Sequence, residues 1–214
     1  MRLFIVIIIL LIPMAYASYV LPGLPDQIPT HFGLNGEPDS WGSKNSIFLA
    51  PAILCGVGFL LFILFQNLGK VDPKFNQTPE NAYIFRDFSY GITAFLSILS
   101  LIIIQAAATP EFNIDKYLFS FIGLSFAAFG SYMPKLQPNY FAGFRLPWTL
   151  ENPDNWKQTH QVAGRFWFYG GIIQAIVCSW TSPKWSVIIF MSILFVMVIV
   201  PILFSYNFYR KNRN

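Results

Sequence analysis

Charge is what this chain has least of. Only 11% of its 214 residues are Asp, Glu, Lys or Arg, against about a quarter in soluble domains. That deficit argues against an ordinary water-soluble globular fold. Cysteine is nearly as scarce, with two residues, and so is histidine, also with two. Cys55 and Cys178 both fall in apolar stretches and read as buried, unreactive thiols rather than as a disulfide or metal pair. The chain has no low-complexity tract and no solenoid period.

What is abundant is hydrocarbon: 55% of residues are hydrophobic and 23 are phenylalanine. Six long uncharged runs, at 3–20, 46–67, 88–108, 117–133, 166–181 and 185–207, approach the ~20 residues that a helix needs to cross ~30 Å of hydrocarbon. The runs are continuously apolar and do not alternate, which favours helices over strands. The first run, FIVIIILLIPM followed by AYA, resembles a signal peptide with a small-residue cleavage site. Its apolar character continues through Tyr19, Val20 and Leu21, so an uncleaved first helix is expected. Five further spans exclude a secreted soluble product.

The few charges are sorted. With the N-terminus inside, the inner segments hold Arg2, Lys70, Lys74, Arg86, Lys135, Arg145, Lys157, Arg165, Arg210, Lys211 and Arg213, and the outer ones only Lys44, Lys116 and Lys184. This division, 11 of the 14 basic residues against 3, follows the positive-inside rule and predicts cytoplasmic termini. The basic pI reflects the sorting and does not imply direct nucleic-acid binding.

No ionisable side chain lies within the six runs, which counts against a charge-coupled transporter. Gln105 and Gln174 are the only amides well inside them, and interhelical hydrogen bonding is their expected role. In the fourth run Gly123 and Ala127 lie four apart, with Ser125, Ala128 and Gly130 nearby. Small residues at that spacing let helix backbones approach closely, within one bundle or across a dimer; packing inside one bundle is the expectation.

Two connections are long and polar, and long structured loops tend to be functional. In the outer one, LPGLPDQIPTHFGLNGEPDSWGSKNS, Pro22, Pro25 and Pro29 exclude regular helix. Asn35-Gly36 and Glu37-Pro38-Asp39-Ser40 predict tight turns, and Trp41 suits the headgroup region. His31 with Asp26, Glu37 and Asp39 has metal-ligating chemistry, but a histidine with no second His or Cys favours loop-stabilising hydrogen bonds instead, and no metal is assigned.

The inner loop covers 134–165. Asn152 is placed to cap a helix, Pro153 suits its first position, and Asp154 complements its dipole. That helix should run into the fifth span without a break. Trp156, His160, Gly164 and Trp167 share one of its faces, as expected of an interfacial helix against the bilayer edge or the bundle. Ahead of it, Asn139, Tyr140, Gly143, Arg145, Pro147, Trp148 and Thr149 read as a non-helical segment. Arg145 could snorkel to lipid phosphates, pair with Glu151 or Asp154, or bind a partner's carboxylate. PDSW at 38–41 and PDNW at 153–156 read as coincidence rather than as a repeat.

The stretch GSYMPKLQPNYFAGFRLPWTLENPDNWKQTHQVAGR, residues 130–165, resembles the signature of the SdpI family of bacterial immunity membrane proteins: G-N-Y-M-x-K-x-x-P-N-Y-x-x-G-I-R-T-P-W-T-L, then W-x-x-T-H and a glycine. The outer loop, PDQIPTHFGLNGEPDSWGSK, is similar to a small domain of unknown function often found ahead of it. This chain departs from the pattern at Ser131, Phe144 and Leu146, where the family has Asn, Ile and Thr. The apolar runs, the sorted charges and the Asn152 cap together predict an all-α, polytopic membrane helix bundle with six transmembrane helices, both termini inside, and a short interfacial helix before helix five, which fits the resemblance. It divides the chain into a two-helix region at 1–67 with an extracytoplasmic loop at 21–45, a four-helix region at 88–207 and a basic tail at 208–214.

The resemblance further implies immunity to a secreted toxic peptide at the bacterial plasma membrane, with a small cytoplasmic transcriptional repressor as a second partner. The partner-binding residues it points to inside are Asn139, Tyr140, Gly143, Arg145, Pro147, Trp148, Thr149, Trp156, Thr159 and His160. Outside, the ligand-binding candidates are Pro25, Asp26, Pro29, His31, Gly36, Asp39, Trp41 and Lys44. No cofactor is expected. A peptide or lipid transporter without ion coupling is the alternative. An enzyme is disfavoured, because His31 and His160 lie on opposite sides and neither has a nucleophile or second ligand beside it.

Overall fold

A computed structural model describes residues 2–33, 36–72 and 79–212. The expected Asn35-Gly36 turn therefore falls partly outside the described residues, as do Lys74 and Arg213 of the charge count. The chain forms helices α1 (Arg2–Val20), α2 (Leu49–Gln66), α3 (Pro79–Ala108), α4 (Ile114–Tyr132), α5 (Pro147–Glu151), α6 (Pro153–Cys178) and α7 (Pro183–Lys211), with strands β1 (Gln27–Phe32) and β2 (Pro38–Ser43) between α1 and α2. Each of the six expected runs lies on one of the six long helices. By length and composition, four stretches can cross a membrane: Leu3–Gly23, Lys44–Gln66, Glu80–Ala108 and Pro183–Lys211. Large apolar side chains stay exposed along them, such as Phe4, Leu11, Leu60 and Phe195. Such surfaces suit lipid and would be untenable in water.

The all-α expectation is corrected in the outer loop. Its prolines do exclude α-helix, but the segment folds as an antiparallel hairpin in which Gln27 pairs with Ser43 and Pro29 with Trp41. A register irregularity falls between Pro29 and His31, where an extra residue can sit without a ladder partner.

The chain divides into two compact units. The first comprises residues 1–66 and 86–118. Its core joins Ala17, Leu24, Ile28, Ile47 and Ile104, so Ile28 of the hairpin and Ile47 just after it pack onto α1 and α3. The Tyr16 hydroxyl donates to Gln105 Oε1, the interhelical role expected of that amide.

The second unit comprises 67–85 and 119–214. Here α4 and α6 meet at backbone distance: a Cβ on Gly123 would lie 2.7 Å from the Ala175 nitrogen, and one on Gly130 would lie 2.5 Å from the Phe168 nitrogen. The small residues of the fourth run thus serve packing within this chain. Gln174 Nε2 donates to the Phe119 carbonyl at 2.9 Å and ties the same two helices.

Two helices contain interior prolines, Pro13 and Pro201. A proline cannot donate to the carbonyl four residues back, and at membrane depth that carbonyl needs another partner. Each finds one within its own unit. Ser97 Oγ donates to the Ile9 carbonyl at 2.7 Å, and Trp167 Nε1 to the Met197 carbonyl at 3.0 Å. Cys55 and Cys178 are both buried and form no disulfide.

Candidate functional site

The inner loop is built around one buried aromatic pair. Asn152 caps α6 as expected, its side chain accepting from the Asp154 and Asn155 amides. From that start, Trp156 and His160 stack with ring centroids 4.1 Å apart. Trp156 Nε1 donates to the Leu136 carbonyl at 2.7 Å. His160 Nδ1 contacts the Trp156 carbonyl at 2.8 Å, and its Nε2 accepts from the Phe144 amide at 3.0 Å. A carbonyl on one side and an N–H on the other define one tautomer, neutral with the proton on Nδ1.

Gly143 makes this geometry possible. It sits at φ +102°, and a Cβ there would overlap His160 Nε2. Asn139 shapes the turn before it. Its Oδ1 accepts from the Phe141 and Ala142 amides, both at 2.8 Å, and its Nδ2 donates to the Gln137 carbonyl at 2.9 Å.

Pro147, Trp148 and Thr149 do not extend a non-helical segment as expected; they form the short helix α5. Proline suits its first turn, and Thr149 Oγ1 accepts from the Leu146 amide at 2.9 Å and reaches the Phe144 carbonyl at 2.6 Å. The helix expected from Pro153 runs through 153–165 as part of α6 and is not a separate short element, and the one-turn α5 ahead of it was not expected. The expected aromatic face of α6 turns into the unit: Trp156, His160 and Gly164 are buried. Trp148 Nε1 donates to Ser205 Oγ at 2.7 Å. Asn155 then joins Ser205 at 3.1 Å and Thr159 at 2.9 Å, locking α5 and α6 to α7.

Burial divides the inner candidates. Asn139, Thr149, Trp156, Thr159 and His160 are buried, and Gly143 is held against His160. These six form the frame. Tyr140, Arg145 and Pro147 are exposed, and Trp148 is half-buried. Arg145 pairs with neither Glu151 nor Asp154; its guanidinium instead donates to the Tyr140 carbonyl, which holds the cation at the surface.

Three framing residues were invisible to sequence reasoning. Buried Asp72 accepts from the Tyr140 amide at 2.9 Å, and buried Asn81 from the Gln137 amide at 3.2 Å. Asp72 lies ahead of α3 and Asn81 in its first turn, and only the absence of an obvious local partner for a polar side chain could have flagged them. Ser205, on α7, is the third.

The outer candidates also pair. His31 Nδ1 lies 2.6 Å from Asp39 Oδ1, and Lys44 Nζ lies 3.0 Å from Asp26 Oδ1. The carboxylates engage side chains across the hairpin instead of loop backbone groups. Pro29 faces Trp41 across the ladder. Pro25 is exposed beside Asp26, and Gly36 occupies the turn at φ 77°. Among the described residues, no three His, Cys, Asp or Glu side chains come together as a metal site would require.

Burial holds the His160 pKa down to about 4, from an ordinary 6.5, with the hydrogen bond to the Trp156 carbonyl offsetting part of the shift. Between those values the unfolded chain binds a proton that the folded one does not. Stability is therefore full above about pH 6.5 and falls as pH drops toward 4. Thermal unfolding in detergent should show a loss of ~3 kcal/mol over this window. The slope should be reduced in His160→Gln; an unchanged slope would assign it to other groups.

Residues 135–205 match the SdpI/YfhL protein family, and residues 8–55 match a domain of unknown function, DUF1648. The chain is 23% identical over 188 residues to the protein named immunity protein SdpI of Bacillus subtilis, covering 88% of this chain and 86% of that one. A shorter likeness, 39% identity over 41 residues, links it to an uncharacterized protein of Archaeoglobus fulgidus, covering 19% of this chain and 22% of the relative. No solved structure gives a significant match. The framed loop at 136–160 lies within the matched region, as does the α7 serine that braces it. The C-terminal third of this chain is thus similar to the SdpI/YfhL protein family, and the segment at 8–55 is similar to DUF1648.

Proposed function

We propose that this protein protects its cell against a secreted toxic peptide. It would do so as a six-span protein of the bacterial plasma membrane, with both termini in the cytoplasm. The likeness to an immunity protein over 88% of the chain carries this reading. The sorting of basic residues supports the orientation. It puts the hairpin at 27–43 outside, where a toxin arrives, and the loop at 134–165 inside. The exposed trio Tyr140, Arg145 and Pro147 then forms a cytoplasmic docking surface for a small transcriptional repressor. Its frame is rigid and its one cation is presented outward, an arrangement suited to a carboxylate on a partner.

The test is deletion of the gene in its own host. Deleted cells should die in conditioned medium from the parent strain, protease treatment of that medium should abolish the killing, and restored expression should rescue growth. Equal survival of deleted and parent cells would end the immunity reading. Protection accompanied by peptide flux into vesicles containing the purified protein would replace it with transport. Arg145→Ala should leave protection intact while lowering capture of a cytoplasmic partner about tenfold or more, as for a lost charge-assisted contact of ~1.5–3 kcal/mol. Unchanged capture would remove the trio from the docking surface.

A further inference from the structure

Helices α6 and α7 do not close against each other along their whole length. They leave an open cleft of about 420 Å³ lined by Arg165, Tyr169, Gly170 and Ile173 on α6 and by Ile193 and Val196 on α7. Gly170 keeps its floor clear, since a Cβ there would come within 3.0 Å of Met197 Sδ and 3.3 Å of Ile193 Cγ2. The Ser192 hydroxyl in the wall is turned to the Ile188 carbonyl at 2.8 Å. The cleft is thus apolar except at one end.

At that end stands Arg165. It is exposed, and none of the ion pairs or side-chain hydrogen bonds among the described residues involves it. The stripe from Arg165 to Ile173 climbs ~12 Å along the helix at 1.5 Å per residue, close to the ~15 Å depth of one leaflet. An occupant must be apolar over that length and anionic at one end. A single acyl chain with a phosphate head has the required shape and charge, and basic sites between spanning helices are suited to anionic lipid headgroups.

We propose that the α6–α7 cleft binds an anionic phospholipid of the surrounding bilayer, one acyl chain lying between the helices and the headgroup phosphate resting on Arg165. This goes beyond the immunity reading and does not depend on it.

The test uses the full-length protein in nanodiscs carrying phosphatidylglycerol or phosphatidylcholine, each with the same photoactivatable acyl chain. Crosslinks should map to 165–173 and 192–197 and should favour phosphatidylglycerol about fivefold, the equivalent of ~1 kcal/mol for one basic residue at the surface. Arg165→Gln should abolish that preference and Arg165→Lys should keep most of it. Val196→Trp, at a position 44% exposed on the cleft rim, should reduce labelling by both lipids. Equal labelling by the two lipids in the wild type would overturn the proposal. So would a preference that survives Arg165→Gln, or crosslinks to a second copy of the chain or to a peptide in place of lipid.

Discussion

Gly143→Ala should be among the most damaging single-methyl additions in the chain. Two costs combine there. The backbone sits at φ +102°, where an L-residue is strained by ~1–3 kcal/mol. The new Cβ would also overlap His160 Nε2, and an overpacked site costs a further ~1–3 kcal/mol. His160 cannot swing away cheaply, because it is stacked on Trp156 and bonded at both ring nitrogens. The expected total is ~4 kcal/mol, read as lowered resistance to unfolding in detergent and as faster proteolysis at Lys135 and Lys157. In a His160→Ala background the same substitution should cost only the backbone share. A full cost retained there would show that the contact with the imidazole is not what makes glycine necessary.

The second large effect is expected at Gly171. A Cβ there would overlap the Gly123 carbonyl and lie 2.5 Å from the Ala127 nitrogen. These are backbone atoms, so no side chain can turn aside, and α4 and α6 must separate. Contacts between membrane helices depend on close packing more than on a hydrophobic drive. Gly171→Val should therefore cost ~3 kcal/mol or more, at or above the upper range for overpacking, and should disturb the Gln174 bond to Phe119 at 2.9 Å. Gly91 in α3 provides the contrast, since a Cβ there meets nothing within 4 Å. Gly91→Ala should be neutral or stabilising by up to ~1 kcal/mol through helix propensity. Similar losses at both glycines would mean that helix packing does not distinguish them.

Much of the site's local structure was legible because the signals for it are local. The Asn152-Pro153-Asp154 start of α6 rests on capping chemistry within three residues, and both Asn152 bonds form as that chemistry requires. The prolines of the outer loop excluded helix for the same kind of reason. What replaced the helix was not legible, because strand pairing between Pro29 and Trp41 joins residues that local rules do not connect. PDSW and PDNW make the point within one chain: the first opens β2, the second opens α6. Four similar residues take opposite structures according to what precedes and faces them.

By itself the sequence determined that the chain is rich in long apolar helices, that one of them starts at Asn152-Pro153, and which loops are polar. Those features follow from solvation and from contacts a few residues apart. Only the tertiary structure decided which polar residues of the inner loop are frame and which are surface. His160, Thr159 and Asn139 looked like partner-binding residues on the same footing as Arg145, yet they are buried and spent on internal hydrogen bonds. That division depends on Asp72, Asn81 and Ser205, which reach the site from 68, 56 and 50 residues away. The unfolded chain holds no local preference for such pairings. They appear when the surrounding helices pack and water is no longer available to the groups they satisfy.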